Sequence, residues 1–275
     1  MKSRTNVTAI VIHIVLWLGI VVVAIPFLWM ILSSLKSLPE FYSFDFLPKK
    51  WDFSAYTYIF QQTQYLRWYG NSIIVGVIVT ASELFFASLV GYTLAKFRFR
   101  GRGAIFVLIL STMMVPTELL VIPWYVMSAW LHWTNSFWGI MFPGMIEAFG
   151  VFLMRQFMLG IPDDLLDAAR IDGMTEFNIF LRVALPQVKS SLSALGILTF
   201  LGNWNAYLWP VIIISTQGMR TLPVGISLFS TADNGGGLQW NLIMGMSTLA
   251  VIPIVLVYFI FQRQIVEGIA LTGIK

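Results

Sequence analysis

The chain has 275 residues, of which 58% are hydrophobic and only 11% are charged, and its mean hydropathy is +0.80. Soluble domains carry about 25% charged residues, so this composition excludes an ordinary soluble protein and indicates a polytopic membrane protein. The lack of cysteine excludes disulfide bonds and thiolate metal sites. The net charge of +4 sits in short basic runs between apolar stretches, a pattern typical of inner-membrane proteins rather than of nucleic-acid-binding proteins.

Six apolar stretches are long enough to cross a membrane, because about 20 helical residues span a hydrocarbon core of about 30 Å. They cover residues 9–32, 71–95, 104–128, 136–158, 190–214 and 242–262. The first follows Lys2 and Arg4, as a secretory signal would, but it is too long for one and lacks a small-residue cleavage site. The sequence therefore predicts an all-α membrane fold with six transmembrane helices.

The predicted spans divide the chain into three parts. Residues 1–69 hold the first helix and an aromatic-rich external loop, residues 70–263 form the main membrane domain, and residues 264–275 form a cytoplasmic tail. A second long external loop, residues 215–241, contains three consecutive glycines at 235–237. Both external loops are long enough to make structured contacts outside the membrane.

The basic residues are distributed unevenly between the two sides of this arrangement. With the N-terminus inside, most of the 17 Lys and Arg residues fall on the inner side, as the positive-inside rule requires. The outer side carries Lys36, Lys49, Lys50, Arg67 and Arg220. Both termini and the loop at 161–186 are therefore predicted to be cytoplasmic.

Polar side chains lie at or near membrane depth in several predicted spans. They are Glu83, Glu118, Glu147, Asn203, Trp204 and Asn205. Charge in hydrocarbon is costly, so such groups usually face a cavity, a partner or the interior of the helix bundle. Amides beside an aromatic face suit the recognition of a sugar, which favours a substrate path at 203–205. The same groups could instead bond one another and hold helices together, and the sequence leaves both interpretations open.

The most polar long segment, residues 161–186, predicts two short helices with a hinge between them. On the first helix one face is charged, with Asp163, Asp164, Asp167 and Arg170; Leu165, Ala168 and Ala169 lie opposite, and Ile171 breaks the pattern. We expect Pro162 at the helix start and Gly173 at the hinge with positive φ. Thr175 is expected to cap the second helix.

The second helix of this segment carries an apolar stripe. Its members, spaced i, i+3, i+4 and i+7, are Phe177, Phe180, Leu181 and Ala184. Pro186 is expected to close the helix, because proline disfavours helical backbone at the residue before it. An ordinary amphipathic helix pair on the membrane surface would show the same pattern.

The chain offers no constellation for catalysis. A phosphate-binding P-loop needs a Gly-Lys dipeptide, which the sequence lacks, so ATP is not expected to bind in that way. His13 and His132 are isolated and are interpreted as structural or interfacial residues. The aspartates of 161–186 lack the glycine-containing acidic loop of an EF-hand, so no metal and no cofactor is predicted.

The 161–186 segment resembles a signature of the permease subunits of bacterial ATP-driven importers. That signature reads Glu-Ala-Ala, three residues, Gly, nine residues, Ile, any residue and Leu-Pro. Here Asp167-Ala168-Ala169 is followed after three residues by Gly173, and nine further residues lead to Val183-Ala184-Leu185-Pro186. Asp167 in place of Glu and Val183 in place of Ile are conservative departures.

Other motifs are similar to those of one subgroup, the maltose-type second permease of carbohydrate importers. They are Gly101 after a basic run, Val115-Pro116-Thr117-Glu118, Asn203-Trp204-Asn205, Leu208-Trp209-Pro210 and the tail that begins at Gln262-Arg263. The resemblance implies the type I ABC importer transmembrane fold in the cytoplasmic membrane of a bacterium or archaeon. It implies import of a sugar or related carbohydrate by alternating access, with ATP hydrolysed on a separate subunit, so that this chain is not an enzyme.

The resemblance also implies partners and site residues. The partners are a second permease subunit, two ATP-binding subunits, an extracellular solute-binding protein and membrane lipid, without nucleic acid. The residues implied to couple to the ATPase are Asp167, Ala168, Ala169, Arg170, Asp172, Gly173, Phe177, Leu185 and Pro186. The substrate path is expected to involve Glu118, Glu147, Asn203, Trp204 and Asn205.

Three alternatives remain open on the sequence alone. A permease of this kind could carry glycerol-phosphate or another small solute. An ion-coupled secondary transporter could use the membrane glutamates as a relay, but the 161–186 signature would then have no purpose. A membrane scaffold without transport activity would not need polar groups at membrane depth.

Overall fold

The computed structural model describes the backbone of residues 7–43, 45–231 and 239–273 and the side chains of residues 10–43, 45–230 and 239–262. Every regular element in these ranges is helical, which confirms the all-α prediction. The three glycines at 235–237 and the side chains of the tail after Gln262 lie outside the described residues.

The described chain is a succession of α-helices of very different lengths. The first eight are α1 Val7–Ser33, α2 Leu38–Phe41, α3 Ser54–Gln62, α4 Tyr65–Lys96, α5 Arg102–Thr112, α6 Thr117–Trp130, α7 Phe137–Met141 and α8 Ala148–Leu159. The others are α9 Asp163–Ile171, α10 Glu176–Ile179, α11 Leu185–Gln187, α12 Lys189–Trp204, α13 Leu208–Ile213, α14 Leu222–Thr231 and α15 Trp240–Gly273. Two 3₁₀ turns, Phe142–Gly144 and Gln217–Met219, and one π-helical turn, Phe180–Ala184, lie between them.

Three helices, α1, α4 and α15, are continuous and apolar enough to cross a membrane. Three further candidates are helix pairs with a bend at a short break: α5 with α6 at 99°, Phe137–Gly144 with α8 at 44°, and Glu176–Gln187 with α12 at 85°. Length and composition thus allow up to six spans within the described residues, which agrees with the predicted number.

Three of the predicted spans are not single helices. The stretch at 136–158 is divided into α7, the 3₁₀ turn Phe142–Gly144 and α8. The stretch at 104–128 is interrupted between α5 and α6, where Pro116 adopts an extended backbone (φ −57°, ψ 132°) and cannot donate a hydrogen bond to the preceding turn. The prediction of one helix over 190–214 is wrong, because α12 ends at Trp204 and α13 begins at Leu208. Pro210 then lies in the first turn of α13, where its missing N–H costs nothing.

The chain folds as two compact units. One comprises residues 1–66 and 225–252, and the other comprises residues 67–224 and 253–275. In the first unit the Tyr65 hydroxyl donates to the carbonyl of Met246 at 2.8 Å. Helix α1 belongs to this unit, and its predicted membrane window has none of its residues buried.

The second unit contains the larger apolar core, built from α4, α8, α9, the π-helical turn and α12. Fully or almost fully buried members include Ala87, Tyr92, Met154, Leu166, Ile179, Phe180, Ala184 and Leu195. Two elements of the predicted cytoplasmic loop, α9 and the π-helical turn, are therefore packed against membrane helices rather than separate from them. This core positions the site described below.

Helices α4 and α8 approach each other closely at Gly91. A Cβ atom at that position would lie 2.8 Å from the backbone nitrogen of Arg155 and 2.9 Å from the Cβ of Met154. Such a contact would have to push two helix backbones apart, so small residues are needed where membrane helices pack this tightly.

Replacing Gly91 should therefore destabilise the membrane domain. We expect Gly91→Ala to cost about 1–3 kcal/mol, as overpacking of a core does, and to lower the yield and melting temperature of the purified chain. Gly103→Ala is the matched control, because a Cβ at Gly103 in α5 meets nothing within 4 Å. Equal melting temperatures for the two variants would contradict the close approach of α4 and α8.

Candidate functional site

The segment 161–186, called the coupling segment below, forms a helical hairpin. Helix α9 ends in a turn in which the N–H of Gly173 donates to the carbonyl of Arg170 and the N–H of Met174 to that of Ala169. Gly173 has φ +77°, as predicted. The hydroxyl of Thr175 accepts a hydrogen bond from the N–H of Asn178 and caps α10, which confirms the predicted helix cap.

One arginine joins the two arms of the hairpin. The Nε of Arg170 donates to Glu176 Oε1 at 2.7 Å, and its Nη1 forms an ion pair with Asp167. The hydrogen bond to Glu176, reinforced by Asp167, raises the pKa of the Arg170 guanidinium above its usual range. The Tyr92 hydroxyl, 3.4 Å from Glu176 Oε2, links the same cluster to α4.

A second contact fixes the start of the segment to the end of α4. The ammonium of Lys96 lies 2.7 Å from Asp163 Oδ1 and 2.5 Å from the carbonyl oxygen of Ile161. The hydrogen bond and the positive charge of Lys96 lower the pKa of the Asp163 carboxyl. The coupling segment is thus tied to the same membrane helix at both of its arms.

The buried and exposed faces of the segment differ from the sequence prediction. Leu166 and Ala169 are buried, whereas Leu165 and Ala168 are exposed. Ile171, the residue that breaks the pattern, is 87% exposed. A hydrophobic side chain this exposed at the tip of an anchored hairpin is available to a partner.

The predicted apolar stripe is divided between the core and the surface. Phe180 and Ala184 are fully buried in the core of the second unit, whereas Phe177 is 51% exposed and Leu181 is also exposed. The four residues of the stripe therefore do not form one exposed face. The reason is that the backbone turns through a π-helical turn at Phe180–Ala184, which carries the two residues inward. Of the other predicted coupling residues, Asp172 and Pro186 are exposed and Leu185 is partly buried. The prediction that Pro186 closes the helix is wrong, because Pro186 lies in the first turn of α11, where its missing N–H is tolerated.

The second unit also contains an open cavity of about 510 Å³ between α6, α8, α12 and α13. Its polar and aromatic lining residues are Thr117, Trp124, Glu147, Phe149, Thr199, Asn203, Trp209 and Thr221. The remaining lining is apolar apart from backbone, with Val75, Ile140, Pro143, Leu195 and Leu198 among its members. The volume falls within the range of about 300–1,000 Å³ that is usual for small-molecule sites.

Hydrogen bonds and ring contacts hold the cavity wall in place. Trp209 Nε1 donates to the carbonyl of Gly139 at 2.9 Å, and its ring lies edge-on to that of Trp124, with 5.6 Å between centroids. The Asn203 amide donates to the carbonyl of Thr199 at 2.9 Å. Two indoles are therefore held in fixed orientations beside amide and hydroxyl groups.

The structure brings together only part of the predicted substrate path. Glu147 and Asn203 line the cavity. Trp204 is buried and stacks on Phe200, with 5.9 Å between centroids. Asn205 is exposed and donates to the carbonyl of Leu201, and Glu118 is exposed, but neither is among the lining residues.

Sequence reasoning missed most of the cavity wall. Trp124, Trp209, Thr199 and Thr221 were not predicted to take part. The break before Leu208 is what turns Trp209 towards the cavity while Trp204 faces the core. A helical break beside Pro210 was the available signal, because a proline in the first turn marks a helix start.

Glu83 supports the cavity wall from behind. It is only 1% exposed, and its Oε2 accepts the backbone N–H of Glu147 at 2.6 Å, at the start of α8. Its Oε1 has no hydrogen-bond partner among the described residues and lies against Gly150. Glu83 thus fixes the backbone from which the Glu147 side chain projects.

Two substitutions at Glu83 distinguish its role as a hydrogen-bond acceptor from any role of its charge. Glu83→Ala leaves the Glu147 N–H unpaired inside the protein, which costs about 1–3 kcal/mol, and should lower the melting temperature. Glu83→Gln keeps an oxygen acceptor and should retain most of the stability. Thermal unfolding of the purified chain measures the difference, and equal losses for the two variants would show that the bond is not the reason for a glutamate at this position.

Comparison with known proteins gives three kinds of similarity. A family model described as "Binding-protein-dependent transport system inner membrane component" matches residues 84–270. The arabinooligosaccharides transport system permease protein AraQ of Bacillus subtilis is 38% identical over 256 residues, 91% of this chain and 90% of that protein. The sn-glycerol-3-phosphate transport system permease protein UgpE of Yersinia pestis is 38% identical over 200 residues, 72% of this chain and 70% of that protein.

Solved structures show the same fold. A chain of a bacterial ABC transporter involved in the import of the acidic polysaccharide alginate superposes with a TM-score of 0.85 at 23% identity, covering 96% of this chain and 98% of that one. A chain of the MetNI methionine ABC transporter superposes with a TM-score of 0.51 at 17% identity, covering 72% of this chain and 92% of that one. At these identities the likeness concerns the fold alone.

Proposed function

Because this chain belongs to the family of binding-protein-dependent transport system inner membrane components, we propose that it is one permease subunit of an ATP-driven importer for a sugar or related carbohydrate. Relatives named as arabinooligosaccharide permeases support this substrate class. The relatives are permease subunits rather than enzymes. In the proposal ATP is hydrolysed by separate subunits, and the cavity opens alternately to the two sides of the membrane.

The observation that carries the proposal is the coupling segment. Its frame is rigid, because Arg170 joins its two arms and Lys96 anchors its start. From this frame Ile171 and Phe177 present apolar side chains to the surrounding medium. Exposed apolar side chains on a rigid element are what a partner protein can bind, and movement of that partner would reach α4, α8 and α12 directly.

The proposal includes a set of partners. A second permease subunit completes the membrane part, two ATP-binding subunits engage the two coupling segments, and an extracellular solute-binding protein delivers the substrate. Asp167, Ala168 and Asp172 are exposed on the hairpin and are proposed to contact the ATP-binding subunit. Ala169 is buried in the core, so its proposed part in coupling is to hold α9 against the membrane helices.

The cavity supplies the proposed substrate path. Indole faces of Trp124 and Trp209 suit the apolar face of a sugar ring, and the polar groups of Thr199, Asn203 and Thr221 suit its hydroxyls. Glu118 and Asn205 remain proposed members of the path in the assembled transporter. An ion-coupled transporter is the competing proposal, and it predicts uptake without ATP.

Uptake into proteoliposomes tests the function. The chain, its partner permease and its ATP-binding subunits are reconstituted with the solute-binding protein, and radiolabelled oligosaccharides are supplied outside. We expect accumulation that requires both the binding protein and internal ATP. Accumulation driven by an ion gradient without ATP would contradict the proposal and favour the ion-coupled class.

The orientation is a separate prediction, and the cysteine-free chain makes it simple to test. Single cysteines at Arg98 and Asp172 should be protected from an impermeant thiol reagent in intact cells, because both positions are predicted to be cytoplasmic. A cysteine at Lys49 should react, since that residue is predicted to face outwards. Labelling is read on the purified chain. Strong labelling of Arg98→Cys with protection of Lys49→Cys would reverse the topology.

A further inference from the structure

We propose that the cavity is an electronegative filter that admits uncharged and cationic polyhydroxy compounds and excludes anionic ones, and that Glu147 sets this preference. The inference rests on the proposed function for the claim that the substrate passes through this cavity. It goes further in naming the charge of the substrate. It also separates two classes of relative, because glycerol-3-phosphate is an anion and arabinooligosaccharides are not.

The charge of the cavity lining is the first observation. Glu147 is the one ionisable side chain among the described lining residues, and no Lys, Arg or His lines the cavity. Anion sites in proteins use Arg or Lys, or backbone N–H groups at a helix start. At the start of α8 the N-cap residue is Glu147 itself, so an acidic side chain already stands beside the first-turn N–H groups.

Two basic residues of this unit, Arg155 and Lys96, are bound by groups outside the cavity lining. Arg155 donates to the carbonyl of Leu94, and its guanidinium lies 4.0 Å from the ring centroid of Phe106. Lys96 is paired with Asp163. Neither residue is among those that line the cavity, so an anion there would meet the Glu147 carboxyl group without a basic side chain in the described lining.

Glu147 is held where its side chain lines the cavity. Its side chain is exposed, and its backbone is fixed by the 2.6 Å bond to Glu83. It directly precedes α8, and the positive end of the helix dipole favours a negative charge at that position.

The neutral groups of the lining indicate a polyhydroxy ligand. Thr221 is 3% exposed, lines the cavity, and its Oγ1 has no hydrogen-bond partner among the described residues. A buried hydroxyl without a partner costs free energy unless a ligand or water satisfies it. A sugar hydroxyl can donate to or accept from this group, and Trp124 and Trp209 offer faces to the ring.

The test uses charged thiol reagents as probes, so that no substrate need be known. A single cysteine is placed in the cavity as Thr199→Cys in the assembled importer. It is treated with methanethiosulfonates of similar size that carry either a trimethylammonium or a sulfonate group. Mass spectrometry of this chain gives the two rate constants, and their ratio is divided by the ratio measured for a free thiol in solution.

We expect the cationic reagent to react faster after this correction. Glu147→Gln should lower the corrected ratio roughly tenfold, because removing one unit charge from a partly desolvated site changes the attraction of the two reagents in opposite directions. Glu147→Lys should bring the ratio below one. Glu40→Gln is the control, because Glu40 is an acidic residue outside the cavity lining, and its loss should leave the ratio unchanged.

Three results would overturn the inference: an unchanged ratio in Glu147→Gln, an equal fall in Glu40→Gln, or protection of the cysteine from both reagents. If Thr199→Cys prevents assembly, Thr117→Cys reports on the same cavity. The rates do not depend on transport. Loss of ATP-dependent uptake would therefore contradict the proposed function alone, and a neutral or positive cavity would contradict the filter alone.

Discussion

Gly173→Val should abolish uptake while leaving the chain in the membrane. Gly173 has φ +77° in the hinge of the coupling segment. A β-branched residue in this left-handed region costs about 1–2 kcal/mol, a factor of about 5–30 in the population of the native hinge. The displaced hinge would misplace the exposed side chains of Ile171 and Phe177. We expect near-normal membrane levels and ATP hydrolysis that is no longer linked to transport.

The chain offers a matched control for backbone strain. Gly101 has φ +87°, and, as at Gly173, a Cβ atom there would meet nothing within 4 Å. Gly101→Val should therefore impose a similar strain outside the coupling segment and retain most uptake. Gly173→Asn should also retain uptake, because asparagine tolerates the left-handed region better than other side chains. Equal loss of uptake in the two valine variants would assign the defect to folding rather than to coupling.

Asp167→Lys should have the second large effect, on binding of the ATP-binding subunit. It removes the ion pair with Arg170 and places two positive charges beside each other. We further propose that Asp167 meets a basic group of the ATP-binding subunit, and loss of one member of a desolvated charge pair costs about 2–5 kcal/mol. Co-purification of the ATP-binding subunit and uptake should both fall by more than tenfold. Asp167→Glu should be nearly silent.

Two further variants separate the partner contact from the pair within the chain. Asp164→Lys makes the same charge change on α9, and Asp164 forms no ion pair within the described part of the chain. It should reduce co-purification much less. Arg170→Ala removes the ion pairs that join the two arms of the hairpin but keeps Asp167. It should therefore loosen the hairpin without placing a repelling charge at the interface. If Arg170→Ala and Asp167→Lys reduce co-purification equally, the role of Asp167 is confined to its ion pair with Arg170.

Sequence reasoning succeeded where the deciding physics is local. The continuous apolar runs of α1, α4 and α15 are sufficient to define membrane helices. The positive φ of Gly173 and the cap at Thr175 follow from backbone sterics and from one side-chain hydrogen bond, and both are observed. The same segment carries the spacing from which the family resemblance was drawn.

It failed where packing decides. The stripe from Phe177 to Ala184 has the periodicity of a surface helix, but periodicity does not distinguish a side chain that faces a partner from one that faces the core of its own chain. The cavity wall depends on where α12 stops and α13 starts. Trp204 and Trp209 are only five residues apart, and the break between them sends one into the core and the other to the cavity.

The most direct test of the account is a cross-link from the tip of α9. The native Ile171 is 87% exposed. Because the chain has no cysteine, Ile171→Cys introduces a single thiol. A photoactivatable benzophenone is attached to it, the importer is assembled with its ATP-binding subunits, and the sample is illuminated. The account predicts a covalent adduct between this chain and the ATP-binding subunit, whose yield changes when ATP is bound. An adduct no stronger than that from the same label at Lys49→Cys, on the predicted outer side, would contradict it.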